Sequence, residues 1–306
     1  MTEGPAVAQS RGSTLKGVVS ISLISLNVIV LVPVLMVAAL VRLVVPLAGW
    51  RRVMGRVMVA IAEFWIANNT LILRSLGALK IDARGLEGLQ RRDWYLVVSN
   101  HRSWVDILVL QAVFRGRIPF LKFFLKQQLI WVPLLGLAWW ALDFPFMRRH
   151  TSEYLAKHPE ERGKDLEVTR SACRKFAEIP TSVMNFVEGT RFTEAKRERF
   201  KSPYRHLLPP RAGGVAFVLS AMGGILHSMV DVTIAYRETG PTLWDLCCGR
   251  LQPVIVEVAR RPIEPWTTEG NYTDDEAFRR RFQQWLGEIW QQKDLRLDAL
   301  LQSGQA

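Results

Sequence analysis

Apolar and polar positions divide the chain into two textures. Gly17 to Val41 carries no charged residue, and a run of that length can cross a hydrocarbon core of roughly 30 Å. It is too long for the apolar core of a cleavable leader, and no small-x-small cleavage site follows it closely. Pro33, in its middle, predicts either a kink or a hairpin. A second stretch, Val57 to Leu73, is interrupted by Glu63 and by Asn68-Asn69, which predicts a helix lying in the interface rather than a second full span. Arg51, Arg52 and Arg56 fall between the two and mark a headgroup-facing or cytoplasmic junction. Residues 1–80 are therefore expected to form an N-terminal membrane anchor, with apolar segments at 17–48 and 57–73.

From about Ile81, short apolar runs alternate with helical patterns, which predicts an α/β domain over 81–306 with a mixed, mostly parallel sheet flanked by helices. The expected strands are Tyr95–Ser99, Phe120–Leu125, Val183–Val187, Val230–Ala235 and Val254–Val258. The expected helices are Ser103–Phe114, Leu129–Leu142, Asp165–Glu178, Gly214–Met222 and Thr273–Lys293. Thr273-Asp-Asp-Glu276 is a helix-start signal. The spacing of Phe278, Phe282, Trp285 and Ile289 predicts a packing face. Thr151–Lys164 reads as a polar surface excursion.

Composition narrows the partners. The 306 residues carry a formal net charge of +12, which favours an anionic partner such as a phospholipid headgroup, a phosphorylated cofactor or nucleic acid. The eleven tryptophans tilt that choice toward a membrane, because indole rings favour the bilayer interface. The three cysteines, Cys173, Cys247 and Cys248, have neither metal-ligand spacing nor a disulfide framework and suit a reducing compartment.

Candidate chemistry begins at Asn100-His-Arg-Ser-Trp-Val-Asp106, directly after the strand Tyr95–Ser99. Ser103 and Asp106 fit a helix-start box that needs no chemistry. That box leaves His101 unexplained at a strand-to-helix turn, where α/β proteins commonly hold ligands. Phe120-Leu-Lys-Phe-Phe-Leu-Lys126 should set Lys122 and Lys126 on one strand face. Phe186-Val-Glu-Gly-Thr-Arg191 ends a hydrophobic strand. There a turn at Gly189 lets backbone amides approach an anion, Arg191 can grip a phosphate with two bonds, and Glu188 can receive a hydroxyl or orient the arginine. Leu207-Leu-Pro-Pro-Arg-Ala-Gly-Gly214 follows, and the intervening charges, Lys196 to Arg205 with His206, read as solvated surface.

These blocks, in this order, resemble those of the glycerolipid acyltransferase family, which makes phosphatidic acid from lysophosphatidic acid. Asn100, His101 and Asp106 match its first block. The resemblance implies that His101 is the base for the acceptor hydroxyl and that Asp106 orients the imidazole. Lys126, Leu129, Pro133 and Gly136 match the second block, with Gln128 where an acidic residue is common. Glu188, Gly189, Thr190 and Arg191 match the third, with Val187 in place of proline. Leu208-Pro209-Pro210 with Arg211 matches the last loosely. The resemblance implies Lys126 and Glu188 to Arg191 as substrate-binding residues. It also implies an acyl thioester donor, acyl-CoA or acyl carrier protein, and a lysophospholipid acceptor.

Histidine suits the work, since its unperturbed pKa lies near neutrality and a glycerol hydroxyl needs a nearby base. No metal site and no resident cofactor is expected, nor is a nucleic-acid partner. The expected setting is the inner membrane with the catalytic domain facing the cytoplasm. Two other readings compete: a basic, membrane-anchored protein that binds lipid headgroups or nucleic acid without catalysis, and a thioesterase. The second is disfavoured because an apolar, membrane-facing site excludes water.

Overall fold

A computed structural model describes residues 11–147, 171, 176 and 179–302. Its centre is a six-stranded sheet formed by β1 (Ile81–Arg84), β2 (Tyr95–Ser99), β3 (Leu121–Phe123), β6 (Ser182–Phe186), β7 (Ser228–Ala235) and β8 (Val254–Pro262). The spatial order is β1-β8-β7-β2-β6-β3. All neighbours are parallel except β7 and β8, which run antiparallel with Ser228 opposite Pro262. Every residue of β2 and β7 is buried, because both faces of the sheet are covered. Tyr95 and Val97 point into one core with Val109, Leu110 and Val232, while Leu96 and Val98 point into the other with Val215, Leu219 and Trp290. This period of two explains why the strands read as unbroken apolar runs.

The first core is closed by α1 (Arg11–Val44), α2 (Ala48–Ser75), α3 (Val105–Phe114), α4 (Leu135–Ala141) and α7 (Leu243–Cys247). α1 runs unbroken through Pro33, so the hairpin turn falls at residues 45–47 instead. The second apolar stretch is helical as expected, and α2 continues through Glu63 and Asn68-Asn69. Asn27 on α1 donates to Trp65 O at 3.0 Å and to Asn69 Oδ1 at 2.8 Å, and it accepts from Asn68 Nδ2 at 3.1 Å. Glu63 pairs with Arg91. This pairing offsets part of the desolvation cost of these polar groups, although Asn69 Nδ2 is buried without a partner among the described residues. By length and composition, both helices could cross a membrane.

α1 is also fastened to the sheet domain along its length. Ser20 Oγ donates to Cys247 O at 3.1 Å, and Arg42 pairs with Asp143 at 2.8 Å. At Gly17 any Cβ would sit 2.6 Å from the Cys248 sulfur, so only glycine allows α1 to approach α7 this closely. Val18, Leu26, Ile29, Val37 and Leu40 remain exposed on α1.

The second core is closed by α6 (Ala212–Met222), α8 (Trp266–Glu269) and α9 (Glu276–Gln302); α5 (Glu194–Arg199) follows β6. The expected packing face is present: Phe278, Phe282 and Trp285 gather edge-on or tilted around Trp266. The helix begins later than Thr273, because Asp275 rather than Thr273 accepts from the backbone N–H of Phe278 at 2.9 Å. Inside this core the Lys293 ammonium is buried against Asp231 at 2.5 Å and donates to Val232 O. Desolvation lowers the Lys293 pKa, and Asp231 opposes that shift.

Other expectations are corrected. The stretch 120–125 is not one strand: β3 ends at Phe123, and Leu125–Lys126 forms β4, paired with β5 (Phe146–Met147) in a separate two-stranded sheet. Lys122 and Lys126 therefore do not share a strand face, and the Lys122 ammonium lies 4.6 Å from the centre of the Phe176 ring. The expected helix Leu129–Leu142 is broken at Pro133 into a 3-10 turn (Gln127–Trp131) and α4, with Leu134 at φ 61° between them. β1 was not expected at all. The helix expected at Asp165–Glu178 and the excursion at Thr151–Lys164 lie outside the described residues, apart from Ser171 and Phe176.

Candidate active site

The C-terminal ends of β2 and β6 place the first and third blocks side by side. Asn100, at the end of β2, is clamped to β7 by paired hydrogen bonds: its Nδ2 donates to Ile234 O, and its Oδ1 accepts from Ile234 N, both at 2.9 Å. This fixes where the chain leaves the sheet and so where His101 stands. The His101 imidazole stacks on Phe186 with ring centroids 4.0 Å apart, and Phe186 stacks in turn on Phe123 at 6.0 Å.

Asp106 lies in the first turn of α3 and is fully buried. Its Oδ2 is 2.8 Å from His101 Nδ1 and accepts from the backbone N–H groups of Arg102 at 2.7 Å and Ser103 at 2.9 Å. Its Oδ1 accepts from the Tyr236 hydroxyl at 2.6 Å. One carboxylate oxygen therefore meets both the first-turn N–H groups and the imidazole, so the helix-start contacts do not compete with the His101 contact. A neutral imidazole that donates from Nδ1 to this carboxylate carries its lone pair on Nε2. No group among the described residues hydrogen-bonds Nε2. Ser103 is occupied elsewhere: its Oγ donates to Pro241 O at 2.6 Å and accepts from Val105 N at 3.1 Å.

Glu188 is turned into the protein. It is 1% exposed, and its two oxygens accept from His101 N and Leu208 N, both at 2.9 Å. Its carboxylate thus ties the first, third and fourth blocks together from beneath. No contact with Arg191 is made among the described residues. Burial pushes the Glu188 carboxyl up to about 7, opposed by those two N–H groups and by the Arg102 guanidinium. Gly189 turns the chain at φ 67°, a left-handed conformation that favours glycine.

Beyond the turn, Arg191 is exposed and its guanidinium lies 5.5 Å from the centre of the Trp104 ring. Lys196, expected in the solvated run, instead belongs here: its ammonium donates to Thr190 Oγ1 and to Arg191 O, both at 2.8 Å. Desolvation lowers the Lys196 pKa, as do the neighbouring charges of Arg191 and Lys126. Arg205 and His206 pair with Asp298 on α9, so the basic run is partly tied down.

Sequence reading missed Tyr236 and Lys196. Tyr236 follows the end of β7, 130 residues beyond Asp106, and only the register of that strand against β2 connects them.

A family model described as Acyltransferase matches residues 80–237, more than half of the chain and the whole of the site. The chain is 26% identical over 226 residues to a mouse 1-acyl-sn-glycerol-3-phosphate acyltransferase gamma. That match covers 70% of this chain and 55% of the relative. It is 26% identical over 235 residues to the Arabidopsis thaliana 1-acyl-sn-glycerol-3-phosphate acyltransferase 3, over 72% of this chain and 57% of the relative. The chain thus spans little more than half the length of these relatives. The crystal structure of PlsC, the 1-acyl-sn-glycerophosphate (LPA) acyltransferase of Thermotoga maritima, superposes with a TM-score of 0.55 at 14% identity, covering 94% of this chain and 97% of that one. A histidine held by a buried carboxylate beside a glycine-arginine turn lies wholly inside the matched residues, and the chain belongs to the acyltransferase family.

Proposed function

We propose that this chain moves a fatty acyl group from an acyl thioester to the free hydroxyl of a lysophospholipid, with 1-acylglycerol 3-phosphate, giving phosphatidic acid, as the acceptor that fits best. The observation that carries the reading is the His101–Asp106 contact with Nε2 left open. Nε2 accepts the proton of the acceptor hydroxyl as its oxygen attacks the thioester carbonyl carbon. The carbon–sulfur bond breaks, and the imidazolium returns the proton to the departing thiolate. Asp106 stabilises the imidazolium between those steps. The balance closes with an ester and a free thiol, with acyl-CoA or acyl carrier protein as donor and no resident cofactor.

A covalent acyl-enzyme fits less well. Ser103 Oγ is committed on both sides. Cys247 is buried, and that burial, with Cys248 beside it, pushes its thiol up to about 11, which keeps it from acting as a thiolate. We assign substrate binding to Arg191 at the Gly189 turn and to Lys126 on β4, with Gly189 and Thr190 shaping the turn and Glu188 bracing it. Purified protein, assayed against several lysophospholipids crossed with both donor types, should form diacyl product with at least one pair. Failure with every pair, alongside retained lipid binding, would transfer the protein to the headgroup-binding class.

The phosphate assignment has its own test. Lysine at 191 keeps the charge but loses the paired planar contacts of guanidinium. Arg191→Lys should raise the KM for the lysophospholipid several-fold more than that for the donor, with kcat less affected if binding is lost equally in the ground and transition states. A change confined to the donor kinetics would move Arg191 to the thioester side.

The anchor is tested by washing. The exposed apolar residues of α1 should hold the protein to membranes through a high-salt wash, because apolar insertion is insensitive to screening. Quantitative release by salt alone would identify a peripheral protein held by charge. The same reading places the catalytic half on the cytoplasmic face of the inner membrane, where thioester donors are found.

A further inference from the structure

We propose that Tyr236 is a positioning residue of this site, its hydroxyl fixing the Asp106 carboxylate so that Oδ2 alone faces His101. The inference rests on the acyl-transfer reading above and adds a residue outside the four sequence blocks. The two carboxylate oxygens are served unequally. Oδ2 receives His101 Nδ1 and two backbone N–H groups, whereas Oδ1 receives only the Tyr236 hydroxyl at 2.6 Å among the described residues. Asp106 is fully buried, so no solvent stands ready to replace that donor. A charge buried with one oxygen bare is costly, and the carboxylate would rotate or draw in water to satisfy it. Either response moves Oδ2 away from Nδ1.

The placement of Tyr236 is itself built. The Asn100 clamp fixes Ile234 two residues earlier, and the Ser103 hydroxyl holds the following loop at Pro241 O. The Tyr236 ring is packed in the first core at 5% exposure. Burial and the adjacent Asp106 charge hold the phenol well above its usual range, so it stays protonated and remains a donor at any working pH.

The test is a double-mutant cycle on the full chain in detergent, read by steady-state kinetics and by denaturant unfolding. Tyr236→Phe deletes one oxygen and keeps the ring. It should lower kcat by ~10-fold or more, as expected when a general base is held less well, while the KM of each substrate stays within about twofold. In the Asp106→Asn background the same change should cost less than about threefold, because the hydroxyl acts through that carboxylate. Near-normal kcat in a folded Tyr236→Phe would overturn the proposal. So would a rise in KM at unchanged kcat, or losses that simply multiply across the cycle. If Tyr236→Phe alone fails to fold, Asp106→Asn added to it should restore folding by removing the stranded charge, and continued misfolding would count against the contact. Should the wild-type protein transfer no acyl group, the functional reading fails by itself. The unfolding midpoints then still decide whether Tyr236 and Asp106 are coupled.

Discussion

His101→Ala is expected to remove nearly all acyl transfer while leaving the protein folded and membrane-bound. The imidazole supplies the proton acceptor, and general-base contributions of this kind amount to roughly 10²- to 10⁴-fold. Its structural share is small. The side chain is 15% exposed, and among the described residues it stacks on one ring, that of Phe186. Asp106 is not stranded by the change either: Oδ2 keeps the Arg102 and Ser103 N–H groups, and Oδ1 keeps Tyr236. The backbone N–H of His101, which satisfies Glu188, survives in alanine. The measurements are turnover at saturating substrates, the unfolding midpoint and sedimentation with membranes. A folded His101→Ala that turns over at a near-normal rate would end the general-base mechanism.

The layer structure was legible wherever a single local rule dominated. Tyr95–Ser99 matches β2 because both of its faces are buried and the run is therefore continuously apolar. The sequence failed where pairing, not pattern, decides. β1 is a half-exposed edge strand beside β8 and has no apolar run to announce it. The polar positions of α2 read as interruptions because their partners, Asn27 and Arg91, lie far away in sequence. Residues 120–126 look like one strand, yet Phe123 and Leu125 pair with different partners, β6 and β5.

The site shows the same division. His101 and Asp106 are five positions apart on one strand-to-helix turn; the residues alone read as a helix start, and their pairing is an expectation from the family resemblance, where the structure now shows the contact. Glu188 could be placed in the turn but not given its task, because its ligands are backbone N–H groups of two other segments. Lys196 looked like one charge in a solvated run; only the fold of α5 against the Gly189 turn brings its ammonium onto Thr190 and Arg191 O. A side chain's neighbours in sequence give its chemistry, whereas its role here depends on which loops the sheet delivers to one edge.

Asp106→Asn should lower kcat by about 10²- to 10³-fold for a reason specific to this geometry. Asparagine has one carbonyl oxygen and one amide nitrogen, and it must choose which faces the Arg102 and Ser103 N–H groups. Two fixed donors at Oδ2 compel the carbonyl oxygen to take that place, which leaves the amide NH₂ toward the Tyr236 hydroxyl. That hydroxyl can rotate to accept. His101 Nδ1 then still meets an acceptor, so the imidazole keeps its tautomer and orientation and the open lone pair stays on Nε2. What disappears is the negative charge that supports the imidazolium once the hydroxyl proton has moved. The loss should therefore fall on kcat, with both KM values little changed. Charge-assisted hydrogen bonds become neutral ones at the start of α3, and stability should fall by about 1–3 kcal/mol. Kinetics and denaturant unfolding on the same preparation separate the two effects. A folded Asp106→Asn retaining kcat within a few-fold of wild type would reduce Asp106 to a helix-start residue.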